Sequence, residues 1–332
     1  MPSERTTVTE LATALGMLGA DTVADAVRER PGSLAGLGDD DWEQLQALER
    51  DHAYARDFYA GFANGRAFLR ADDALAGRIP RLIEWTGGRR PPGDEVVPSD
   101  LRVDHVYLIS CKYLSRILHN PSPARLVEGL LTQAPVDDRS DWYQRVAPAE
   151  HQALYEACTA GLGVGGLPAR VAELTKADRR AVALALRGEW PAAAVEPYAA
   201  LCTVVSEATS RLWRDRLDAS NAEPMLWRLL RIGSAPYFVL GSDGQGSMRL
   251  RIATPWDWRQ RYRLRTFDVE PQPGGQPRVG WRATFDDRRS GEAGEVHGHV
   301  EVRWSHGRFG QRPEAKVYLD SKHDDVPGYH AL

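Results

Sequence analysis

Residues 96–118 read VVPSDLRVDHVYLISCKYLSRIL, and the fold turns on the middle of that run. Positions 101–111, LRVDHVYLISC, are rich in valine, isoleucine, leucine and tyrosine and contain neither glycine nor proline, which predicts a buried strand. Alternate side chains of a strand share a face, so Ser110 and Lys112 project together while Ile109 and Cys111 turn the other way. A lysine at the end of an apolar strand calls for an anionic neighbour, because desolvating an unpaired ammonium is costly. Asp100 and Asp104 are candidates. On a straight strand Asp104 lies about 20 Å from Ser110. A hairpin would bring Asp100 and Ser110 together, although no glycine marks its turn.

Outward from this strand the pattern is helical. IPRLIEWTGG (79–88) reads as a helix with Pro80 in its first turn and Gly87-Gly88 ending it, and YLSRILHN (113–120) as another, stopped by the NPSP turn. The first 75 residues show apolar positions at helical spacing in 11–27 and 39–62, and the acidic run at 39–41 suits a helix N-terminus. From Ser122 to about Leu230 the helical period continues. After Gly233 it gives way to hairpins: APYFVLGSDGQGSMRLRIATP with a turn at Gly241-Ser242-Asp243-Gly244, then RYRLRTFDVEPQPGGQPRVGWRATFDD with a turn at Pro273-Gly274-Gly275. The expected class is α+β. Three consecutive regions follow: helical 1–75, a strand-bearing core with helical extension at 76–230, and a mainly β region at 231–332.

Composition narrows the class of protein. A chain of 332 residues with 42% hydrophobic and 27% charged positions has enough apolar surface for more than one globular core. Cys111, Cys158 and Cys202 are scattered without CxxC spacing, which excludes a cysteine zinc site and a disulfide framework. The N-terminus lacks the apolar stretch of a signal peptide or membrane span, so a cytoplasmic location and no membrane partner are expected. No Walker loop, HExxH or GxSxG occurs, and GLGVGGLP sits among helices; nucleotide-dependent and serine-hydrolase chemistry lack a motif. Charge is uneven: Met225–Leu332 carries 17 Lys+Arg against 13 Asp+Glu, the preceding residues 25 against 33. A basic C-terminal part suits a polyanionic partner.

Pro98-Ser99-Asp100 followed by Ser110-Cys111-Lys112 resembles the PD-(D/E)xK nuclease superfamily. The resemblance covers about 50 residues. It implies a small restriction-endonuclease-like α/β core in which an aspartate and a (D/E)xK tripeptide on adjacent strands bind Mg2+ (or Mn2+), while the lysine positions the attacking water and stabilises charge on the phosphorus. Such a centre cleaves DNA, since a hard cation takes carboxylate oxygens and phosphodiester cleavage needs positive charge at the nonbridging oxygens. Here Ser110 replaces the acidic member, as in SxK members that recruit a glutamate from a neighbouring helix. Glu84, on the expected helix before the strand, is the favoured recruit; Glu128 is the other. The expected centre is therefore Asp100, Ser110, Lys112 and Glu84, with Glu84, Asp100 and Asp104 as metal ligands. By analogy the role is restriction or anti-phage defence, with other defence-system subunits as partners and a homo-oligomer left open. The serine also admits a second expectation, a catalytically silent DNA-binding or scaffold subunit, and a protein-interaction module stands as a third.

Other sites compete. Arg259, Arg261, Arg263 and Arg265 alternate in WDWRQRYRLRTF with Trp256, Trp258 and Tyr262 interleaved, and Arg249 and Arg251 repeat the spacing; on strands they would form a surface for phosphates and bases. Glu301, Glu314 and Lys316 form a second ExK-type set. His297 and His299, two apart on an expected strand, with Glu301 in line and His306 and His323 near in sequence, could hold a metal.

Overall fold

The computed structural model describes residues 3–87, 99–113, 117–129, 141–160, 166–242 and 246–332. Helices run in chain order as α1 (Glu4–Gly16), α2 (Val23–Glu29), α3 (Asp39–Arg50), α4 (Ala55–Arg70), α5 (Pro123–Val127), α6 (Trp142–Val146), α7 (Pro148–Thr159), α8 (Lys176–Ala185), α9 (Val195–Arg214), α10 (Ala222–Leu229) and α11 (Pro255–Arg261). Strands are β1 (Leu34–Ala35), β2 (Ile83–Trp85), β3 (Leu101–Val103), β4 (Tyr107–Tyr113), β5 (Ile117–His119), β6 (Tyr237–Ser242), β7 (Ser247–Ile252), β8 (Tyr262–Pro271), β9 (Arg278–Asp287), β10 (Ala293–Arg303), β11 (Glu314–Leu319) and β12 (Tyr329–Ala331). The class is α+β, as the periodicity predicts.

Two compact units replace the three consecutive regions expected. Met1–Arg116, Arg231–Arg261 and Val326–Leu332 make the first; Ile117–Leu230 and Tyr262–Asp325 make the second. The boundaries at 75 and 76 fail because α1 and α4 share one core with β2, β3, β4 and β6. The boundary at 231 divides the β region differently, since β6, β7 and β12 pair in the first unit.

In the first unit the sheet order is β1-β2-β3-β4-β6-β7-β12, with β1/β2 and β4/β6 parallel and the other pairs antiparallel. Ile83, Leu101, Val103, Ile109, Phe238 and Leu240 form one core with α1 and α4, where Phe68 meets Phe238 edge-on at 4.9 Å. Buried from Val8 to Gly16, α1 crosses α4 at backbone contact through Gly16, Gly61 and Gly65. A Cβ on Gly65 would stand 2.0 Å from the Thr13 carbonyl oxygen, so the helices would have to part. We expect Gly65→Ala to cost about 2 kcal/mol or more in chemical denaturation, the scale of overpacking. Gly32→Ala, with nothing within 4 Å of its Cβ, is the control; equal losses in the two would refute the close-crossing account.

Three expected elements change type. Residues 83–85 are strand, not helix: Ile83 pairs with Leu34 and Val103, and Ile83 and Trp85 turn into the core while Glu84 points away. Of the helix expected over 113–120, Tyr113 instead ends β4 and Ile117–His119 is strand paired with β11, while 114–116 lie outside the described residues. The strand over 101–111 is a hairpin. It reverses at Asp104 and His105, whose φ of +49° and +61° make the tight turn without glycine. Asp104 holds that turn by accepting the backbone N–H groups of Arg81 (2.8 Å) and Leu82 (3.0 Å) and the Arg78 guanidinium. Of the two later turns, Gly241 and Ser242 end β6 and 243–245 lie outside the described residues; Gly275, at φ +72°, turns the β8–β9 hairpin.

The second unit has a five-stranded antiparallel sheet, β5-β11-β10-β9-β8. Val279, Trp281, Ala283, Val296, Val300, Val302, Ala315 and Val317 are buried on one face, and α9 packs against β8 and β9. Trp142 donates to the Thr209 hydroxyl (2.9 Å) and Tyr143 to the Val302 carbonyl (2.6 Å), so α6 is fixed to both α9 and the sheet. The opposite face is polar.

Candidate functional site

β3 begins at Leu101, opposite Ile109, while β4 runs on to Tyr113. The β4 edge beyond Ile109 therefore lacks a neighbour from β3, and its first N–H needs an acceptor. Asp100 supplies it. The Asp100 carboxylate oxygen Oδ2 accepts the Cys111 N–H at 2.6 Å and the Ser110 hydroxyl at 3.3 Å, while the Asp100 N–H donates to the Ile109 carbonyl at 2.8 Å. So the hairpin weighed from sequence does join Asp100 to Ser110. Ser110 is wholly buried.

Ile109 and Cys111 pack with the α1–α4 core, and Ser110 and Lys112 leave β4 on the other face. Lys112 is half-buried and, among the described residues, makes no hydrogen bond or ion pair. Gly241, paired with it across the parallel β4/β6 contact, has no room for a side chain: a Cβ would lie 1.7 Å from the Lys112 carbonyl oxygen. A buried network stiffens this end of β4. Asn64 donates to the Gly241 carbonyl (2.9 Å) and to the Tyr113 hydroxyl (3.1 Å), accepts from Arg249 Nε (2.9 Å), and Thr13 meets the same hydroxyl at 2.7 Å.

The glutamate that joins the group is Glu10, which the sequence pattern did not single out. It sits on α1 at 5% exposure and accepts the indole N–H of Trp85 at 2.7 Å. Burial, then the Asp100 charge, push its carboxyl up to about 7, against the opposing pull of the Trp85 hydrogen bond and the Lys112 charge. Glu10, Asp100 and Lys112 thus share one electrostatic neighbourhood. Each carboxylate has one oxygen tied to a protein donor; the other oxygen makes no hydrogen bond among the described residues. One signal in the sequence could have found Glu10: a charge inside an otherwise buried helical run.

The remaining candidates are held elsewhere. Glu84 stands on β2, not a helix, at 3.1 Å from His105 Nδ1 and opposite Arg102. Asp104 is at the hairpin tip; despite its partial burial, the Arg78, Leu82 and Arg81 donors hold its carboxyl below the usual range, as befits a turn anchor rather than a metal ligand. Glu128, in the second unit, is enclosed by Arg145 and Arg216 (3.1 Å). Arg259 and Arg261 lie on α11, where a two-residue spacing does not share a face, and Arg263 and Arg265 lie on β8 in the other unit; Arg265 Nε pairs with Asp286 at 2.6 Å. Arg249 and Arg251 are on β7 as expected, with Arg249 bound to Asn64.

On the polar face of the second sheet, Glu301 stands opposite Lys316, Lys316 Nζ lies 3.7 Å from Glu314, and Glu314 accepts from Asn120 (2.9 Å) and Ser305. His299 stacks on Tyr318 at 4.7 Å and bonds Asp320 through Nδ1 at 2.7 Å, while His297 Nδ1 faces Ser321 at 3.2 Å. Among the described residues no three His, Cys, Asp or Glu side chains are grouped to hold a metal, at this face or at Glu10 and Asp100, and none of the described helices is long and apolar enough to cross a membrane. Compared with family models, curated proteins and solved structures, the chain matches none.

Proposed function

We propose that the chain is a metal-dependent endonuclease acting on DNA, with its centre at the open edge of β4. The observation that carries this is the electrostatic coupling of Glu10 to both Asp100 and Lys112, with one oxygen of each carboxylate fixed by a protein donor and the Lys112 ammonium, among the described residues, in no ion pair. Glu10 takes the place that the sequence pattern assigned to Glu84. Two carboxylates suffice for Mg2+ or Mn2+, which keep waters and take substrate phosphate oxygens as further ligands. Burial first, and then the Asp100 charge, raise the Glu10 pKa, and a bound cation would favour its ionised form. When bound, the ion supplies Lewis-acid polarisation of the scissile phosphate.

The protein groups have separate tasks. Asp100 and Glu10 hold the ion. Ser110 and the Cys111 N–H fix the Asp100 rotamer, and Trp85 fixes Glu10. Lys112, whose ammonium makes no hydrogen bond among the described residues, orients the attacking water and meets the charge that builds on the nonbridging oxygens. A cytoplasmic role in restriction or anti-phage defence, alongside other subunits, belongs to the same proposal by its resemblance to PD-(D/E)xK nucleases.

Supercoiled plasmid, linear duplex, single-stranded DNA and RNA, each with Mg2+ and with Mn2+, test it. Wild-type protein is expected to cut DNA, and Lys112→Ala and Asp100→Asn to lose about 100-fold or more in rate with DNA affinity retained. Intact substrates throughout would end the enzyme proposal. Retained metal-independent DNA binding would then support the second reading, a catalytically silent DNA-binding or scaffold subunit, which the buried, non-acidic Ser110 favours.

A further inference from the structure

The structure points to a phosphate-binding pocket in the second unit, at a place where the arginine-rich stretch 259–265 contributes nothing. An open pocket of about 550 Å³ is framed by three segments: 120–122 between β5 and α5, the first turn of α8, and 311–314 leading into β11. The Ala315 N–H donates to the Pro121 carbonyl at 2.9 Å, so the first and third segments are fixed to each other.

Three cations, Lys176, Arg179 and Arg312, line it beside one carboxylate, Glu314. Lys176 and Arg179, three apart on α8, present on one face of that helix, and Arg312 comes from the facing loop. Arg179 is anchored, with one guanidinium nitrogen 3.3 Å from the Phe309 carbonyl and 3.6 Å from Asp141. Lys176 and Arg312 are exposed and, among the described residues, make no hydrogen bond or ion pair. The lining carboxylate, Glu314, is already engaged by Ser305, Asn120 and Lys316. Asp178, in the same turn as Lys176, is spent on the Thr175 cap. Asp141, beside Arg179 and within reach of the Arg312 charge, offsets part of this charge from behind the pocket, and an oxyanion in the concavity would take the donors that Lys176 and Arg312 leave unbonded among the described residues.

We infer that this pocket takes a phosphate group of a nucleic-acid strand. The phosphate chemistry stands on the pocket alone; the strand as its source rests on the proposed nuclease. Two charge reversals at exposed positions, Lys176→Glu and Arg312→Glu, test it in the full-length chain without metal, by anisotropy of a labelled DNA oligonucleotide over a salt series. The double variant is expected to weaken binding at least tenfold and to lower the slope of log K against log salt by about 1 to 2, one for each lost phosphate contact. Unchanged affinity and slope would overturn the proposal. Inorganic phosphate provides the second arm. If wild-type protein binds inorganic phosphate and loses it in the double variant, yet shows no affinity for the oligonucleotide, the strand assignment is wrong. Because no cleavage is read, a wild-type protein that binds DNA through this pocket but never cuts it defeats the nuclease proposal and leaves this one standing.

Discussion

Glu10→Gln is expected to make the protein more stable at pH 8 while abolishing metal-dependent cleavage. The Glu10 carboxyl titrates near 7 in the folded chain, against 4.5 as its ordinary value, because burial and the neighbouring Asp100 charge disfavour ionisation. A group whose folded pKa is raised contributes its full stability below the unfolded pKa and loses it as pH rises through the folded one. At pH 8 the ionised Glu10 therefore costs about 3 kcal/mol, at about 1.4 kcal/mol for each pH unit between its ordinary and its folded value. Glutamine keeps an acceptor for the Trp85 indole and carries no charge. Thermal or urea unfolding without metal should show a gain of about 2–3 kcal/mol at pH 8 that vanishes near pH 4. A gain equal at both values, or a loss at pH 8, would mean that ionisation of Glu10 carries no such cost. Cleavage is a separate readout, so the stability result stands whatever the nuclease assay gives.

That glutamate also shows where sequence patterns stop. The alternation of Ile109 and Cys111 against Ser110 and Lys112 was legible, because it depends only on the two-residue period of a strand. The hairpin that folds Asp100 onto it was half legible, since Asp104 and His105 adopt positive φ where glycine is the usual marker. Glu84 was misplaced because a three-residue strand has too few positions to display its period. In the arginine stretch a helix start was present in the sequence: Pro255 stands in the first turn, and Thr254 and Asp257 bond reciprocally, with Asp257 N–H to the Thr254 hydroxyl at 3.2 Å and Thr254 N–H to Asp257 at 3.2 Å. The alternating arginines outweighed it. No local pattern announces that Arg231–Arg261 returns to pair β6 beside β4, because that contact joins residues more than a hundred positions apart. For the same reason the basic pocket, drawn from three separate segments, leaves no run of charge in the sequence.

Acid is expected to act on the second unit through His151, and in the opposite sense to Glu10. His151 is wholly buried among Tyr143, Trp304 and Phe309, the last stacked on it at 5.5 Å. The Gln144 amide nitrogen, which can only donate, lies 2.7 Å from Nδ1, so the ring proton sits on Nε2, where no acceptor is found among the described residues. Burial, aided by the Arg179 charge, lowers its pKa from 6.5 to about 3. Above pH 6.5 the ring is neutral whether folded or unfolded, and stability is complete. Below 6.5 the unfolded chain takes up a proton that the folded chain refuses, and about 1.4 kcal/mol is lost per pH unit until about pH 3. Between pH 6.5 and 4 this residue alone should remove about 3 kcal/mol. His151→Gln will lower stability at neutral pH through lost packing, so the quantity to measure is the slope: the variant's stability should fall less steeply than wild type by that amount over the same interval. Parallel curves for the two proteins would show that His151 is protonated in the folded state. Glu10 gains stability over much of that interval as pH falls, which flattens the wild-type profile and hides both groups. Only the single variants, each compared with wild type, separate a carboxyl that resists losing its proton from an imidazole that resists gaining one.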